Sequence, residues 1–167
     1  MQYRDKKGDL FWIREGGRDD IFPLVEMYIG FHPKGAYQGL PPHNARVCEE
    51  WIRHLFANGY NYLAGREDRM LGHAVVVPDE DLNDGEYLVF VHQQHRGLGI
   101  GTVLTRTTLA RAKNLGLAMI WLTVDACNFI AIRLYRKFGF CFPDAQCPLD
   151  EERKMVLALG GDRTVRC

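Results

Sequence analysis

The sequence lacks the features that mark several specialised classes of protein. Its 21 Lys and Arg residues balance 21 Asp and Glu residues, so it has no basic excess of the kind that a dedicated nucleic-acid binder shows. No apolar run approaches the roughly 20 residues that a membrane-spanning helix needs. The first residues are charged and no apolar segment follows them, so we expect no signal peptide. These absences favour a cytoplasmic protein.

Cysteine and metal-ligand patterns are also missing. The five cysteines form no Cys-x-x-Cys pair and are odd in number, so we expect reduced thiols and neither a disulfide framework nor a zinc site. His92 and His95 have a metal-like spacing, but they precede glycines and no third ligand accompanies them. We therefore expect no metal. A length of 167 residues fits one domain, placed at 1–160, with a flexible C-terminal tail at 161–167.

Apolar periodicity predicts an α/β fold built on a mixed sheet. Strands are predicted at 10–15, 60–67, 70–78, 86–92, 118–124 and 153–159, and helices at 18–31, 45–59, 100–115 and 128–140. The three central strands are joined by short turns and should be antiparallel. The strand–helix–strand unit from Glu86 to Val124 should place two strands parallel, and the helices should cover both faces of the sheet.

Two segments between the predicted elements have more than one interpretation. The Gly- and Pro-rich stretch His32–Asn44 is a long loop, which suits either a functional role or a plain exposed connection. Asn44 is a candidate N-cap for the next helix, whose apolar face we expect to include Val47, Trp51 and Leu55. The acidic run Pro78–Glu86 suits a cationic substrate, but also a solvated loop.

The most informative stretch is "HRGLGIGTVL", residues 95–104, between a buried strand and a helix. It does not fit G-x-G-x-x-G, because Thr102 or Leu104 stands where the third glycine belongs, and it lacks the lysine of a P-loop. The first N–H groups of a helix nevertheless attract anions, and glycines let a phosphate approach the backbone. Arg96 adds a positive charge. The glycines alone fit an anion site or a plain strand–helix turn.

The order of motifs around this stretch resembles the GNAT N-acetyltransferase superfamily. Arg96 to Gly101 matches the signature R/Q-x-x-G-x-G/A, and the strand "YLVFVH" precedes it. A segment N-x-x-A-x-x-L-Y-x-x-x-G-F follows from Asn128 to Phe140. The resemblance implies a mostly antiparallel central sheet with one splayed parallel strand pair and helices on both faces.

A narrower resemblance concerns the GNAT domains of bacterial protein-lysine acetyltransferases. The segment "GEYLVFVHQQHRGLGIG" is similar to the matching segment of those domains, and "YQGLPP" falls where they have a Tyr-containing segment after the first helix. In those domains a glutamate at the start of the strand serves as the catalytic base, and Glu86 stands at that position.

The resemblance implies that the acetyl group of acetyl-CoA moves to a primary amine by direct attack in a ternary complex. The acceptor is either a protein lysine or a small amine, and the protein acts as a monomer or homodimer without nucleic-acid or membrane partners. The alternative is a non-catalytic acyl-CoA-binding module that senses its ligand. The presence of both Glu86 and Tyr135 favours catalysis.

The same resemblance assigns roles to residues. Glu86 is the candidate base, directly or through a water, and Tyr135 the candidate acid for the departing thiolate. The N–H of Val91 is a candidate oxyanion donor, and Asn128 is both a candidate N-cap and a pantetheine contact. Residues expected to bind acetyl-CoA are Val89, Phe90, Val91, Arg96, Gly97, Leu98, Gly99, Ile100, Gly101, Thr102, Asn128 and Tyr135.

Overall fold

A seven-stranded mixed sheet, in which spatial order follows chain order, carries helices on both faces. The computed structural model describes residues 1–32, 41–79, 83–143 and 152–160. The strands are β1 (Gln2–Arg4), β2 (Leu10–Glu15), β3 (Tyr60–Arg66), β4 (Arg69–Asp79), β5 (Asp84–Val91), β6 (Met119–Asp125) and β7 (Glu152–Ala158). The helices are α1 (Ile21–Ile29), α2 (Ala45–Asn58), α3 (Ile100–Asn114) and α4 (Phe129–Lys137). The predicted α/β class is confirmed.

The single parallel pair in this sheet lies between β5 and β6. These strands are in register only from Asp84 opposite Met119 to Glu86 opposite Trp121. Beyond Glu86, β5 stays paired with β4 and β6 stays paired with β7, so the two halves of the sheet separate. This opening is termed the splay. It confirms the predicted arrangement of a mostly antiparallel sheet with one splayed parallel pair.

Two hydrophobic cores lie on opposite faces of the sheet. On the α3–α4 face, Leu104 and Ile120 are buried together with Tyr87 of β5. On the α1–α2 face, Ile52 is buried together with Leu88 of β5. Because successive side chains of a strand point to opposite faces, β5 contributes to both cores in alternation. This explains why its sequence is almost continuously apolar.

β1 is an element that the sequence pattern misses. It pairs antiparallel with β2, with Tyr3 opposite Phe11. The Met1 ammonium group donates to the Ile13 carbonyl at 3.0 Å and secures the edge of the sheet. A strand of three residues is too short to show the alternation that identifies strands, so only its pairing reveals it.

The buried face of α2 is rotated about the helix axis relative to the predicted apolar face. Asn44 caps the helix as predicted, because its Oδ1 accepts two backbone N–H groups of the first turn at 2.9 and 3.2 Å. The buried row is Cys48, Ile52 and Leu55. Of the predicted residues, Trp51 is half-buried and packs against this core, whereas Val47 is 49% exposed. Both rows have helical spacing, and tertiary packing decides which one faces the core.

The expectation that all cysteines are reduced is wrong for Cys141. This residue is disulfide-bonded, whereas Cys48 and Cys127 are not. The odd count and the missing Cys-x-x-Cys motif argue against a framework, but they do not exclude a single bridge. Cys141 lies four residues after the end of α4 and pairs through its backbone with Val156 of β7.

Some predictions concern segments outside the described residues. These segments are 33–40, which include most of "YQGLPP", 80–82 of the acidic run, and the predicted tail 161–167. The domain boundary at residue 160 therefore stays a prediction. Among the helices of the described ranges, none combines the length and the apolar character needed to cross a membrane.

A buried polar network ties α1 to the sheet. The Tyr28 hydroxyl lies 2.8 Å from Nδ1 of His73, and Nε2 of His73 lies 2.9 Å from Oδ1 of Asn61. Asn61 Nδ2 donates to the carbonyls of Leu55 and Gly59, so its Oδ1 is the acceptor for His73. This network assigns the proton of His73 to Nε2, and the Tyr28 hydroxyl then donates to Nδ1.

The buried histidine predicts sensitivity to acid. Burial lowers the pKa of His73 from 6.5 to about 3, so the unfolded chain takes up a proton at a pH where the folded protein does not. As pH falls from 6.5 towards 3, the free energy of unfolding should decrease by up to about 1.4 kcal/mol per pH unit from this residue.

Denaturant unfolding of the wild type and His73→Gln at pH 7 and pH 4.5 measures this contribution. The variant should be less stable at pH 7 but should lose less stability on acidification. His54→Gln, at an exposed position of α2, is the matched control. Equal acid sensitivity of His73→Gln and the wild type would contradict the assignment.

Candidate active site

A cleft of about 650 Å³ lies at the splay. Its walls include Tyr87 and Val89, which face the α3–α4 side, and Leu88 and Phe90, which face the α1–α2 side. The cleft therefore passes between the two halves of the sheet and reaches both faces. Its volume is typical of small-molecule sites, which measure roughly 300–1,000 Å³.

The glycine-rich segment forms one end of this cleft. Gly97 and Gly99 have φ angles of +77° and +93°, in the left-handed region that favours glycine. Gly99 is the N-cap of α3, and a Cβ atom at this position would meet no other atom within 4 Å. The backbone conformation, and not crowding, therefore requires glycine here.

The first turn of α3 presents N–H groups without partners. The N–H groups of Thr102 and Val103 bond to the Gly99 carbonyl, as expected at a helix start. Within the described ranges, those of Gly99, Ile100 and Gly101 make no hydrogen bond. They lie at the positive end of the helix dipole, an arrangement that suits a bound anion.

Arg96 is held in place by backbone carbonyl groups. Its Nε donates to the Val91 carbonyl at 3.0 Å, and its Nη2 donates to the His32 carbonyl. The guanidinium carbon lies 5.0 Å from the centre of the Phe31 ring. Arg96 thus contributes a positive charge to the cleft wall and also links the end of β5 to the segment after α1.

The backbone of β5 directs N–H groups into the splay. The N–H of His92 bonds to the Leu71 carbonyl of β4 at 2.9 Å. In an antiparallel pair, successive residues of a strand direct their N–H groups alternately towards the partner strand and away from it. Val89 and Val91 therefore direct their N–H groups away from β4. The parallel pairing with β6 ends at Glu86, so both N–H groups face the cleft.

Tyr135 of α4 is buried and lines the cleft. Its hydroxyl has no hydrogen-bond partner among the described residues, and burial raises its pKa above the ordinary value of 10, so the phenol stays protonated at neutral pH. Its ring meets Tyr87 edge-on at a centroid distance of 6.4 Å. The Tyr87 hydroxyl donates to the Thr105 hydroxyl, which donates to the Gly101 carbonyl and fixes the start of α3.

Asn128 lies where α4 begins, at the edge of the cleft. Its Oδ1 accepts the N–H of Ala131 at 3.2 Å, which confirms the predicted N-cap. Its Nδ2 makes no hydrogen bond to the residues that the structure describes. The structural role therefore leaves the amide donor available to a ligand.

Glu86 is half-buried and does not line the cleft. It follows the alternation of β5 onto the α1–α2 face, beside Trp121 of β6. The Lys154 ammonium lies 4.4 Å from the centre of the Trp121 ring. Burial raises the pKa of Glu86 above its ordinary value, and the charge of Lys154 partly opposes this increase. Its position suits a base that acts through a bridging water.

The structure brings most of the predicted site residues together. Ten of them line the cleft: Val89, Phe90, Val91, Arg96, Gly97, Gly99, Gly101, Thr102, Asn128 and Tyr135. The side chain of Ile100 is instead buried in the core of the α3–α4 face, and Leu98 accepts the N–H of Lys6 at its carbonyl, outside the cleft wall.

Sequence reasoning missed three basic residues on the cleft wall, Lys6, Arg133 and Lys137. Lys6 lies there because the turn between β1 and β2 folds against the glycine-rich segment, and β1 gives no sequence signal. Arg133 and Lys137 are four residues apart on α4, a spacing that the sequence does show.

His92 and His95 lie 5.9 Å apart between ring centres, and the described ranges hold no group of three His, Cys, Asp or Glu side chains suited to a metal ion.

The chain matches the family described as "Acetyltransferase (GNAT) family" over residues 24–140. The protein therefore belongs to the GNAT family of acetyltransferases, which confirms the resemblance noted above. Enzymes of this family use acetyl-CoA as co-substrate.

Three known proteins show the extent of the similarity. A mycothiol acetyltransferase from Thermomonospora curvata is 32% identical over 130 residues, which cover 77% of this chain and 39% of that protein. A streptothricin acetyltransferase from Streptomyces lavendulae is 45% identical over 71 residues, which cover 42% of this chain and 35% of that protein. The chain thus spans less than half the length of these relatives.

The third is the crystal structure of the GNAT domain of PAT from S. lividans. The match to this structure has a TM-score of 0.78 at 16% sequence identity. It covers 95% of the present chain and 96% of the chain of the PAT domain. At this identity the likeness establishes the shared fold alone.

The glycine geometry predicts a larger destabilisation at Gly99 than at Gly101. Gly99→Ala should lower the free energy of unfolding by about 1–2 kcal/mol, because a left-handed conformation costs this much with a side chain. Gly101→Ala should cost less, since the new Cβ would meet Val91 and Leu134 at ordinary contact distances of 3.4 and 3.5 Å. Denaturant unfolding of both variants measures the difference. Equal destabilisation would contradict the role of the φ angle.

Proposed function

We propose that the protein is an acetyl-CoA-dependent N-acetyltransferase that moves the acetyl group to a primary amine by direct attack in a ternary complex. The observation that carries this proposal is the cleft that crosses the sheet at the splay. An anion-binding helix start lies at one end of the cleft, and a protonated tyrosine lies inside it. Membership of the GNAT family supports acetyl-CoA as the donor.

The unpaired N–H groups at the start of α3 would hold the pyrophosphate of acetyl-CoA. Arg96 stands beside them with a positive charge. The pantetheine arm would run through the splay along β5, where the N–H groups of Val89 and Val91 are available. Asn128 would donate its amide to the same arm. In this arrangement the enzyme acts chiefly by holding the thioester and the amine in the reactive geometry.

The chemistry needs one base, one oxyanion donor and one acid. The neutral amine attacks the thioester carbonyl carbon, whose oxygen gains negative charge and accepts the N–H of Val91. The carbon–sulfur bond then breaks, and the thiolate takes the proton of the Tyr135 phenol. The proton of the attacking amine passes to Glu86 through a water. The products are the N-acetylated amine and free CoA.

The acceptor would approach from the α1–α2 face, where Glu86 lies. Two of the named relatives are called after small molecules, as a mycothiol acetyltransferase and a streptothricin acetyltransferase, which favours a small amine as the acceptor of this chain. A protein lysine is the other acceptor to be tested. Both require a base, because a primary amine is largely protonated near pH 7.

A thiol-release assay with acetyl-CoA and a panel of small amines and lysine peptides tests the proposal. Release of CoA that depends on one class of acceptor is expected. Binding of acetyl-CoA without thiol release from any acceptor would support the alternative of a non-catalytic acyl-CoA-binding module. Absence of binding at millimolar acetyl-CoA would overturn the proposal altogether.

In this assay Tyr135→Phe should lower kcat by roughly 100-fold, as expected for the loss of a general acid, with the affinity for acetyl-CoA nearly unchanged. The comparison variant is Tyr62→Phe, which removes a hydroxyl from a half-buried tyrosine of β3 outside the cleft wall. An unchanged kcat for Tyr135→Phe would make this tyrosine structural.

Glu86→Gln should make the rate depend more steeply on pH. Without a base the reaction relies on the neutral fraction of the amine, which increases with pH. In the wild type the rate should fall at low pH as Glu86 takes up a proton, and burial shifts this loss to a higher pH than for an exposed glutamate. Rate profiles from pH 5.5 to 9 test this, with Glu67→Gln in the β3–β4 turn as control. Parallel profiles of Glu86→Gln and the wild type would remove Glu86 as base.

A further inference from the structure

Lys154 of β7 lies on the same face of the sheet as Glu86. Val156 of β7 is opposite Trp121 of β6, and Trp121 is opposite Glu86 of β5. Side chains that are opposite each other on neighbouring strands point to the same face, and so do side chains two residues apart on one strand. Glu86, Trp121 and Lys154 therefore share the α1–α2 face.

The Trp121 ring holds the Lys154 ammonium group near Glu86. Lys154 Nζ lies 4.4 Å from the centre of this ring, a distance at which a cation is attracted to the aromatic face. Trp121 is itself adjacent to Glu86, because neighbouring strands are about 4.8 Å apart. The ammonium group of β7 is thus placed over β6, on the strand next to that of Glu86.

Four further carboxylates share this face in the strands that the structure describes. Asp79 of β4 is opposite Asp84 of β5, and Asp84 is buried two residues before Glu86. Asp125 of β6 is opposite Glu152 of β7, and both line the cleft. The surroundings of Glu86 are therefore rich in negative charge.

The helices that cover part of this face do not balance that charge. The buried rows of α1 and α2 are apolar apart from Tyr28 and Cys48. The Tyr28 hydroxyl is bonded to His73, whose pKa of about 3 keeps the imidazole uncharged at neutral pH. Among the described side chains that point to this face near Glu86, Lys154 is therefore the positive charge.

A carboxylate in this setting tends to take up a proton. Burial raises the pKa of Glu86 above its ordinary value, and the charge of Lys154 opposes this increase. A general base accepts a proton only when it is ionised at the working pH. A cation beside Glu86 therefore extends to lower pH the range over which this carboxylate can act as a base.

We propose that Lys154 is a positioning residue for the base of the reaction. Its ammonium group, held over the Trp121 ring, keeps the Glu86 carboxylate ionised, so that Glu86 can take the proton of the acceptor amine through a water. Lys154 does not line the cleft and acts on the reaction only through Glu86. The inference rests on the proposed function, because it requires Glu86 as the base.

Rate profiles of Lys154→Met between pH 5.5 and 9 test the inference. This variant keeps an unbranched side chain and removes the charge. Its kcat/KM at pH 6 should be roughly fivefold below that of the wild type, whereas at pH 9, where Glu86 is ionised in both proteins, the two should agree within about twofold. Lys154→Arg should retain most of the rate at pH 6, because it keeps the charge. Loss of the same factor at every pH would indicate a structural role and overturn the inference.

A matched control and a change of salt separate this local effect from net charge. Lys113→Met removes a charge from an exposed position of α3 outside the cleft wall, and its profile should follow the wild type. Lys154 is exposed, so salt screens its charge. In 1 M NaCl the wild-type profile should move towards that of Lys154→Met, which should itself change little. An equal shift in Lys113→Met would overturn the inference.

An NMR titration of the Glu86 side-chain carboxyl carbon tests the inference apart from catalysis, with Glu86→Gln to assign the signal. The midpoint should lie at a higher pH in Lys154→Met than in the wild type. Equal midpoints would overturn the inference and leave the proposed function intact. A shifted midpoint in a protein that transfers acetyl groups to no acceptor would instead overturn the proposed function, and with it the role of Lys154 in the reaction.

Discussion

Three residues of parallel pairing hold the two halves of the sheet together, and the rest of the site depends on where that pairing stops. If β5 and β6 stayed in register beyond Glu86, their N–H and carbonyl groups would bond to each other. Because the strands separate, the N–H groups of Val89 and Val91 face an open space in the middle of a folded domain. Unpaired backbone groups are normally costly when they are buried, and in the proposed function a bound ligand would supply their partners.

The walls of this opening are fixed from both sides. On the α3–α4 face, the hydrogen-bond chain from Tyr87 through Thr105 to the Gly101 carbonyl holds the anion-binding turn against β5. On the α1–α2 face, the buried network of Tyr28, His73 and Asn61 joins α1 to β4, the neighbour of β5, and to β3 beyond it. Both networks use polar groups that are paired in the core, which gives the site a defined geometry before any ligand binds.

Local patterns predicted the parts of the site that depend on neighbours in the chain. The glycine-rich segment and the Asn128 cap have fixed spacings relative to one strand and one helix, and the structure has them where the sequence indicates. What depends on distant contacts was not predictable. β1 and hence Lys6 gave no signal, and the rotation of α2 was set by packing. Glu86 lies outside the cleft wall because it belongs to the part of β5 that is still paired with β6.

Arg96 shows how a binding residue also connects parts of the fold. Its guanidinium already bonds to the carbonyls of Val91 and His32 and lies over Phe31. In the proposed function, an anion that draws Arg96 towards the start of α3 would break its bond to the His32 carbonyl. Coupling of this kind is reciprocal, so an acceptor that held Phe31 and His32 in place would change the affinity for the anion by the same factor. The two substrates of a transfer reaction would then influence each other's binding through one arginine, without touching it together.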